Sequence, residues 1–337
     1  MKALSKSRFK QGLECPNKLY FSNNKQVFHN VKNEDPFLQA LASGGFQVEE
    51  YARLQYPGGV LIEDPEDREN YDYQDLANQT SELLKQENVV IYEAAFYIND
   101  LFIRTDVLVK KGTHIQLIEV KAKSLDPSQP YNFVGKSKKL VSSWKPYLFD
   151  LAFQTYVTQL CLPSYTITPY LCLVDKTKAA TADGLNQFFR VEKDPNSRTG
   201  VRKTFKQVSQ LGENILHQEN LSEVVLKIHN GDHTYYDNLN FHEAVKLLSE
   251  IRMQNYYPNW PAQFSACKKC EFKKDDSEEG KKKQSGFEYC FKKQYHWTDQ
   301  DFKKSNIFNV WDLKDPKLME QKLLFKSQLT PEDIKYK

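Results

Sequence analysis

LFIRTDVLVKKGTHIQLIEVKA, residues 101–122, is the stretch that decides the fold. Two apolar runs rich in β-branched residues flank Lys-Gly-Thr-His at 111–114, and this pattern predicts an antiparallel hairpin. A further strand, 89–98, precedes the hairpin across an Asn-Asp turn, while a helix at 146–161 and a strand at 167–175 follow it. This order predicts an α/β core in which helices flank a mixed central sheet.

The register of the hairpin brings three charged side chains together. If the turn pairs Lys110 with Ile115, then Asp106 lies directly opposite Glu119, and directly paired residues point to the same face of a sheet. Lys121 shares that face, because side chains two residues apart in a strand point the same way. The hairpin therefore carries a carboxylate pair and a lysine on one side.

Two facing carboxylates repel each other unless a cation lies between them. Mg²⁺ takes oxygen ligands and usually keeps several waters, so Asp106, Glu119 and a substrate phosphate form a suitable set of ligands. Lys121 beside such an ion is placed to orient or activate a water and to stabilise charge on a phosphate. A solvated sheet face with a surface ion pair between Glu119 and Lys121 is the alternative, and the spacing does not choose between the two.

The chain has 337 residues, about twice the length of a typical domain of ~150 residues. Its 40% of apolar residues are enough for a sizeable core and exclude a disordered chain. Helices are predicted at 37–56, bent or split by a Gly-Gly pair, and at 76–87. We expect an N-terminal arm with the α/β core at 1–178, a mostly helical insertion or lid at 179–255, and a cysteine-bearing segment with a connector helix at 256–337.

No apolar stretch approaches the ~20 residues that a membrane helix needs. The basic N-terminus also has no apolar h-region and no small-residue cleavage site, so it does not resemble a secretory signal. We therefore expect a cytoplasmic protein with no membrane partner and no disulfide framework.

The net charge of +3, from 47 basic and 44 acidic residues, permits a nucleic acid as partner without arguing for it. Basic side chains cluster near the N-terminus and again in 136–145. These clusters suit a polyanion that touches one face, and a solvated surface is the alternative. The candidate phosphate ligands are Lys6, Arg8, Lys10, Lys136, Lys138 and Lys139.

Six cysteines fall into two groups. Cys161 and Cys172 lie in apolar runs and are predicted to be small buried hydrophobes. The others lie in polar or turn-rich settings, and two of them form a C-x-x-C knuckle of the kind that binds metals. These candidate metal ligands are Cys15, Cys267, Cys270 and Cys290. The knuckle alone suggests zinc, for which His296 is the nearest fourth ligand in sequence.

The hairpin residues carry a family resemblance. Asp106, with Glu119-Val120-Lys121 after a hydrophobic run, resembles the PD-(D/E)xK nuclease superfamily, in which an Asp and an E-x-K motif bind metal and drive phosphodiester hydrolysis. Gln154 is similar to the glutamine motif of the RecB-type branch. The resemblance implies a restriction-endonuclease-like core and Mg²⁺ or Mn²⁺ on Asp106, Glu119 and the Val120 carbonyl. It also implies that Lys121 positions the attacking water and that Gln154 contacts the site.

Two positions depart from the family pattern. The branch usually has a Tyr four residues after the glutamine, where this chain has Thr158. It also has a His four residues after a Gly on a helix near the start, where Gly45 here leads to Glu49. Either Glu49 acts as a metal ligand or the position is vacant. Glu93, on the preceding strand, is another candidate acid or an exposed strand carboxylate.

Cys15 and the three C-terminal cysteines bracket this core and resemble the iron–sulfur nuclease branch, which includes CRISPR-associated exonucleases and AddB-type helicase–nuclease subunits. The resemblance implies a structural [4Fe–4S] cluster that ties the C-terminal segment to the N-terminal one. Zinc and unligated thiols are the alternatives. The charged stretch 273–286 looks like an insertion, because the family's second and third C-terminal cysteines are usually only a few residues apart.

Over essentially its whole length the chain is similar to a bacterial family with this nuclease-like half, through its VEEYAR helix, PGGV turn, RTDVL strand and EVKAKS arm. The resemblance implies a metal-dependent DNA nuclease acting on ends or single strands, in repair, recombination or defence against foreign DNA. It also implies a helicase or a second, exonuclease-like domain as partner. A catalytically inactive nucleic-acid-binding module of the same fold is the alternative, and a zinc-stapled interaction protein is a third reading.

Overall fold

A computed structural model describes residues 2–34, 36–63, 72–192, 200–236, 238–310, 313, 316–331 and 333. The strands of this part of the chain are β1 Leu4–Ser5, β2 Val60–Leu61, β3 Asn88–Ile98, β4 Leu101–Lys111, β5 His114–Leu125, β6 Thr166–Asp175, β7 Phe189–Glu192, β8 Gly200–Lys203 and β9 Leu216–Asn220. The helices are α1 Lys6–Glu14, α2 Asn17–Asn23, α3 Pro36–Arg53, α4 Tyr73–Leu83, α5 Lys145–Cys161, α6 Ser222–His229, α7 Phe241–Gln254, α8 Phe264–Lys268, α9 Glu278–Lys282, α10 Gly286–Tyr295, α11 Asp299–Lys303 and α12 Lys317–Glu320. Short 3-10 turns lie between several of them. None of the helices described is long and apolar enough to cross a membrane.

The central sheet is mixed, as the sequence predicts. Its strand order is β2-β3-β4-β5-β6-β9, and β1 pairs with β4 outside this path. The pairs β2–β3, β5–β6 and β1–β4 are parallel, and the pairs β3–β4, β4–β5 and β6–β9 are antiparallel. Strands β7 and β8 form a separate two-stranded sheet.

Two tight turns set the registers around the hairpin. Asn99 and Asp100, between β3 and β4, both have positive φ, of 49° and 60°, as a type I′ turn requires. Lys110 pairs with Ile115 across the next turn, which confirms the predicted register. The β4–β5 ladder ends at Val107 and Ile118, and the first residues of β4 pair with β1 instead. We call this point of separation the strand fork.

The chain consists of two compact units. Unit 1 comprises Met1–Lys10 and Pro36–Ser249, and it contains the sheet. On one face of the sheet, Tyr51 and Ala52 of α3 pack with Val107, Ile118 and neighbouring apolar side chains. Side chains alternate along a strand, so Glu119 belongs to the other face, where Gln154 of α5 reaches it.

Unit 2 comprises Gln11–Asp35 and Glu250–Lys337. Its core is rich in aromatic rings: the Phe21 and Phe272 centroids lie 5.3 Å apart, and Trp297 lies 4.8 Å from Phe291. Gly286 packs so closely that a Cβ there would lie 2.7 Å from the Phe21 ring. The segment that holds Cys15 and the C-terminal segment thus form one unit.

Residues 179–255 differ from the predicted helical insertion. Their first half forms β7, β8 and β9, and β9 joins the central sheet beside β6. Pairing with β6 outweighs the polar, weakly periodic character of that stretch, because strand formation depends more on neighbours than on local propensity. The two units also divide the chain differently from the segments 1–178, 179–255 and 256–337.

Two helix predictions also need correction. The Gly44-Gly45 pair does not split the helix predicted at 37–56, because α3 runs without a break from Pro36 to Arg53. Two glycines cost a helix about 2 kcal/mol together, which the packing of its C-terminal half against the sheet can offset. The helix predicted at 76–87 spans Tyr73–Leu83, since Asp72 caps it by accepting the Gln74 N–H at 2.8 Å.

Candidate active site

The strand fork places Asp106 where a backbone partner is missing. Just beyond the last pair of the β4–β5 ladder, Asp106 Oδ2 accepts the Val120 N–H at 2.6 Å. A carboxylate thus occupies the place of a strand carbonyl, and it lies beside Glu119 as the predicted register requires. Both acids are buried.

Glu119 is fully buried and surrounded by three donors. Lys6 Nζ lies 3.0 Å from each carboxylate oxygen, Gln154 Nε2 donates to Oε2 at 2.7 Å, and Lys121 Nζ donates to Oε1. Burial raises the pKa of Glu119, but the ammonium groups of Lys121 and Lys6 outweigh it and hold that pKa well below its usual range. Glu119 is therefore an ionised and fixed acceptor.

Lys121 stays a cation at this site. Burial lowers the pKa of Lys121, but Glu119 and Asp106 more than compensate and raise it above its ordinary value. Its Nζ lies 3.8 Å from Asp106 Oδ2 and donates to the Val120 carbonyl at 2.9 Å. The side chain can donate hydrogen bonds to a water or a phosphate, but it cannot take a proton from either.

A second group of acids meets at Asp106. Carboxylate oxygens of Glu49, Glu93 and Asp106 all lie within 4.8 Å of one another, and we call these three residues the carboxylate cluster. Two oxygens on one octahedral Mg²⁺ lie at most about 4.2 Å apart, twice the ~2.1 Å bond. Small side-chain movements would therefore close the cluster on one ion, so the donor set fits a hard divalent cation.

Two guanidinium groups counter the charge of the cluster. Arg53 Nη2 lies 2.6 Å from Glu49 Oε1 and 2.9 Å from Glu93 Oε1, and Arg104 Nε lies 3.3 Å from Glu93 Oε2. The backbone of Glu93 has a φ of 57° in the middle of β3, a conformation that costs a non-glycine residue about 1–2 kcal/mol. Strain of this kind is typical of functional sites, which supports Glu93 as a residue of the candidate site.

Crowding perturbs the titration of the cluster. Burial, then Asp106 and Glu93, raise the pKa of Glu49 to about 9 against the opposing effect of Arg53. Burial and Glu119 raise the pKa of Asp106 to about 6 against Lys121 and Lys6. Without a bound ion Glu49 therefore retains a proton near neutral pH, and a divalent cation has to displace it.

Helix α5 presents the predicted polar stripe of Asp150, Gln154 and Thr158, and all three side chains are buried. Asp150 Oδ2 pairs with Lys10 Nζ at 3.4 Å. Asp150 Oδ1, Gln154 Oε1 and Thr158 Oγ1 have no hydrogen-bond partner among the described residues. Buried polar atoms are usually satisfied, so these atoms have capacity for water or another group.

The predicted phosphate ligands lie in two different settings. Lys6 and Lys10 pair with acids of unit 1, and Arg8 is partly buried on the same helix. Lys136, Lys138 and Lys139 are exposed on the loop between β5 and α5.

The four candidate cysteines line one narrow cavity in unit 2. Cys15, Cys267, Cys270 and Cys290 share its walls with apolar side chains such as Phe21 and Phe291. His296, the alternative fourth ligand, is exposed at the end of α10. The geometry thus favours the four-thiol set over the set that includes His296.

The spacing of the thiols bears on the kind of metal. Burial raises the pKa of each thiol, to about 11 for Cys270 and about 12 for Cys290, and the neighbouring cysteines add to the rise in both. In the part of the chain that the structure describes, no three of the four Sγ atoms lie within 4.8 Å of one another. Sulfurs on one tetrahedral zinc lie about 3.8 Å apart, given a Zn–S bond of ~2.3 Å. In this structure the four thiols are therefore not drawn together around one zinc-sized ion.

Sequence reasoning missed part of this site. Lys6 was predicted as a phosphate ligand, yet it contacts the acids of the fork, and Arg53 and Arg104 were not predicted at all. Glu93 was named as a candidate acid or an exposed strand carboxylate, and its burial excludes the second reading; a glutamate inside the apolar run VVIYEAAFYI is indeed unusual for an exposed strand. The sequence offered no comparable signal for Lys6, because its place depends on β1 joining β4.

Comparison with models of known protein families finds no match, and no curated protein is similar in sequence to this chain. Any functional proposal therefore has to rest on the residues and geometry described above.

Proposed function

We propose that this protein is a divalent-metal-dependent deoxyribonuclease with a PD-(D/E)xK core, acting on single strands or ends. The observation that carries the proposal is the convergence of the carboxylate cluster with Glu119 and Lys121 at the strand fork. Acids that share a cation beside a lysine suit phosphodiester hydrolysis, in which negative charge builds up on a phosphate.

Each residue has a distinct role in this proposal. Asp106, Glu49 and Glu93 would hold Mg²⁺ or Mn²⁺, together with Glu119 and the Val120 carbonyl that the family resemblance implies. The bound ion would supply Lewis-acid stabilisation of the phosphate.

The lysine and the glutamine act directly through their own hydrogen bonds. Lys121 is protonated and donates, so it orients the attacking water and neutralises charge on the phosphate rather than acting as the base. Gln154 holds Glu119 in place through its 2.7 Å hydrogen bond.

In unit 2, Cys15, Cys267, Cys270 and Cys290 would hold a structural [4Fe–4S] cluster as thiolates. The support is that all four thiols line one narrow cavity, whereas His296, the alternative fourth ligand, is exposed. Anaerobically purified protein should then contain four irons and absorb visible light, and Cys290→Ser should lose both. One zinc in a colourless protein would contradict this part of the proposal.

A non-catalytic nucleic-acid-binding module of the same fold is the second candidate. One observation favours it: Lys6, Lys121 and Gln154 already occupy both oxygens of Glu119. Such a protein would bind DNA through its lysines without turnover.

Asp106→Ala separates the two candidates. A nuclease should cut end-labelled single-stranded DNA in Mg²⁺ or Mn²⁺, lose this activity in chelator, and lose it on Asp106→Ala. A binding module should never cut and should bind DNA with the same affinity with or without Asp106→Ala. Asp183→Ala, which removes an exposed aspartate of unit 1, is the control. Absence of cleavage by the folded, cluster-loaded wild type would overturn the nuclease proposal.

A further inference from the structure

A pocket of about 250 Å³ opens beside the carboxylate cluster, entirely within unit 1. Its lining combines two acids of the carboxylate cluster with the start of α1. The residues that matter for its chemistry are Ser5, Lys6, Ser7, Arg104, Glu93 and Asp106. Two cations and two hydroxyl groups therefore surround a space that adjoins the proposed metal site.

The polar groups of this pocket suit a phosphate. Ser7 is exposed, and the Oγ atoms of Ser5 and Ser7 lie 3.2 Å apart, so both hydroxyls meet at the pocket's edge. Ammonium, guanidinium and hydroxyl groups are the usual side-chain partners of nucleic-acid phosphates. Arg104 is held by both Glu93 and the Ile62 carbonyl and is less exposed than Lys6, so Lys6 is the cation with more room to change partners.

Lys6 lies between two sets of charges. Its Nζ is 3.0 Å from both oxygens of Glu119 and 3.9 Å from Asp106 Oδ1, while a quarter of its side chain remains exposed on the pocket side. In the metal-free protein these acids hold it. A divalent cation on the carboxylate cluster would neutralise much of their charge and weaken that hold.

The size of the pocket limits what can enter. A sphere of 250 Å³ is about 8 Å across. The pocket therefore has room for one phosphate and part of its sugar, but not for a longer stretch of strand.

We infer that this pocket binds the phosphate of a nucleotide adjacent to the scissile bond of a single strand, and that Lys6 is its ligand once a divalent cation occupies the carboxylate cluster. The inference rests on the proposed function and adds a substrate subsite to it. Lys6 thus exchanges Glu119 for a substrate phosphate, which couples metal binding to DNA binding.

The test measures binding rather than activity. Fluorescence anisotropy of a labelled single-stranded oligonucleotide gives its Kd and salt dependence in Ca²⁺ and in chelator, and a gel checks that the strand stays intact. In Ca²⁺, Lys6→Met should bind about tenfold more weakly, the loss expected for one charge-assisted hydrogen bond. Its salt slope should fall by about 0.7, the contribution of one phosphate contact on a single strand. In chelator, Lys6→Met should bind like the wild type.

A second variant shows whether weak binding by Lys6→Met could come from a folding defect. Ser7→Glu leaves the Lys6–Glu119 contact intact, and an acid in the first turn of a helix is well tolerated. It should weaken binding in Ca²⁺ to a similar extent, because its carboxylate repels the phosphate. Lys85→Met removes an exposed lysine of the turn after α4 and should change nothing.

Wild-type binding by both variants in Ca²⁺ would overturn the inference, as would an equal loss for Lys6→Met with and without Ca²⁺. If the wild type cuts DNA but the variants bind normally, the subsite is wrong and the nuclease proposal stands. A wild type that neither binds nor cuts DNA contradicts both.

Discussion

Glu49→Gln is predicted to make the metal-free protein more stable relative to the wild type as the pH rises. Glu49 lies within 4.8 Å of two other acids. At an effective dielectric constant of about 20, each pair at this distance repels by about 3.5 kcal/mol. The attraction between Glu49 and Arg53, whose N–O distance is 2.6 Å, amounts to about 6 kcal/mol at the same dielectric constant. The repulsion and the attraction nearly cancel, so the cost of burying the charge decides whether the folded protein favours the charged or the neutral form of Glu49.

The direction of the pH effect on stability follows from the preference of the folded protein for neutral Glu49. The folded-state pKa of Glu49 is raised from 4.5 to about 9, so the native state holds the proton more tightly than the unfolded state. The resulting stabilisation is fully present below pH 4.5 and is lost as the pH rises toward 9. One pH unit corresponds to at most about 1.4 kcal/mol. Between pH 5 and pH 8 the wild type should therefore lose about 2–4 kcal/mol that Glu49→Gln keeps.

The assay is denaturant unfolding at pH 5 and pH 8 with divalent ions chelated. We expect the free energy of unfolding of Glu49→Gln, relative to wild type, to rise by that amount between the two pH values. Glu82→Gln, at an exposed glutamate of α4, is the control and should follow the wild type. A difference between Glu49→Gln and wild type that does not change with pH would refute the reasoning, because it would mean that Glu49 does not share a buried site with other acids.

Three other changes have predictable effects. Gln154→Ala removes the only amide donor to the buried Glu119 carboxylate among the described residues and should lower the free energy of unfolding by about 1–3 kcal/mol in a urea titration. In unit 2, Lys18→Met breaks the buried ion pair with Glu271, whose N–O distance is 2.5 Å, and should cost about 3–5 kcal/mol in the same measurement; a loss below 1 kcal/mol would show that the pair is solvated. Gly45→Ala should stabilise the protein by up to about 1 kcal/mol, because α3 continues through this residue and an added Cβ meets no atom within 4 Å. A destabilised Gly45→Ala would indicate that the helix is broken there.

Local patterns were sufficient to predict the hairpin. The Asn99-Asp100 turn and the apolar runs on either side of Gly112 fix which residues face each other, so the proximity of Asp106 and Glu119 followed from counting. Gln154 followed from the helix periodicity of α5.

Long-range pairing determines the contacts that sequence reasoning did not predict. Lys6 reaches the fork because β1 pairs with β4 where β5 has diverged, and nothing within the first ten residues encodes that partner. Glu93 joins the cluster through a left-handed backbone conformation, which propensity does not predict for a glutamate. The strand β9 was missed for the same reason as Lys6, since its partner β6 is distant in sequence.

The central claim is that the strand fork hydrolyses phosphodiester bonds, and single-turnover cleavage of an end-labelled single strand in Mn²⁺ by wild type and Lys121→Met tests it most directly. The account predicts that the wild type cuts and that Lys121→Met, which removes a preorganised donor to the phosphate, is about 10²–10³-fold slower. Lys85→Met should cut at the wild-type rate. Equal rates for wild type and Lys121→Met would contradict the account, because the cleavage would then come from somewhere other than the fork.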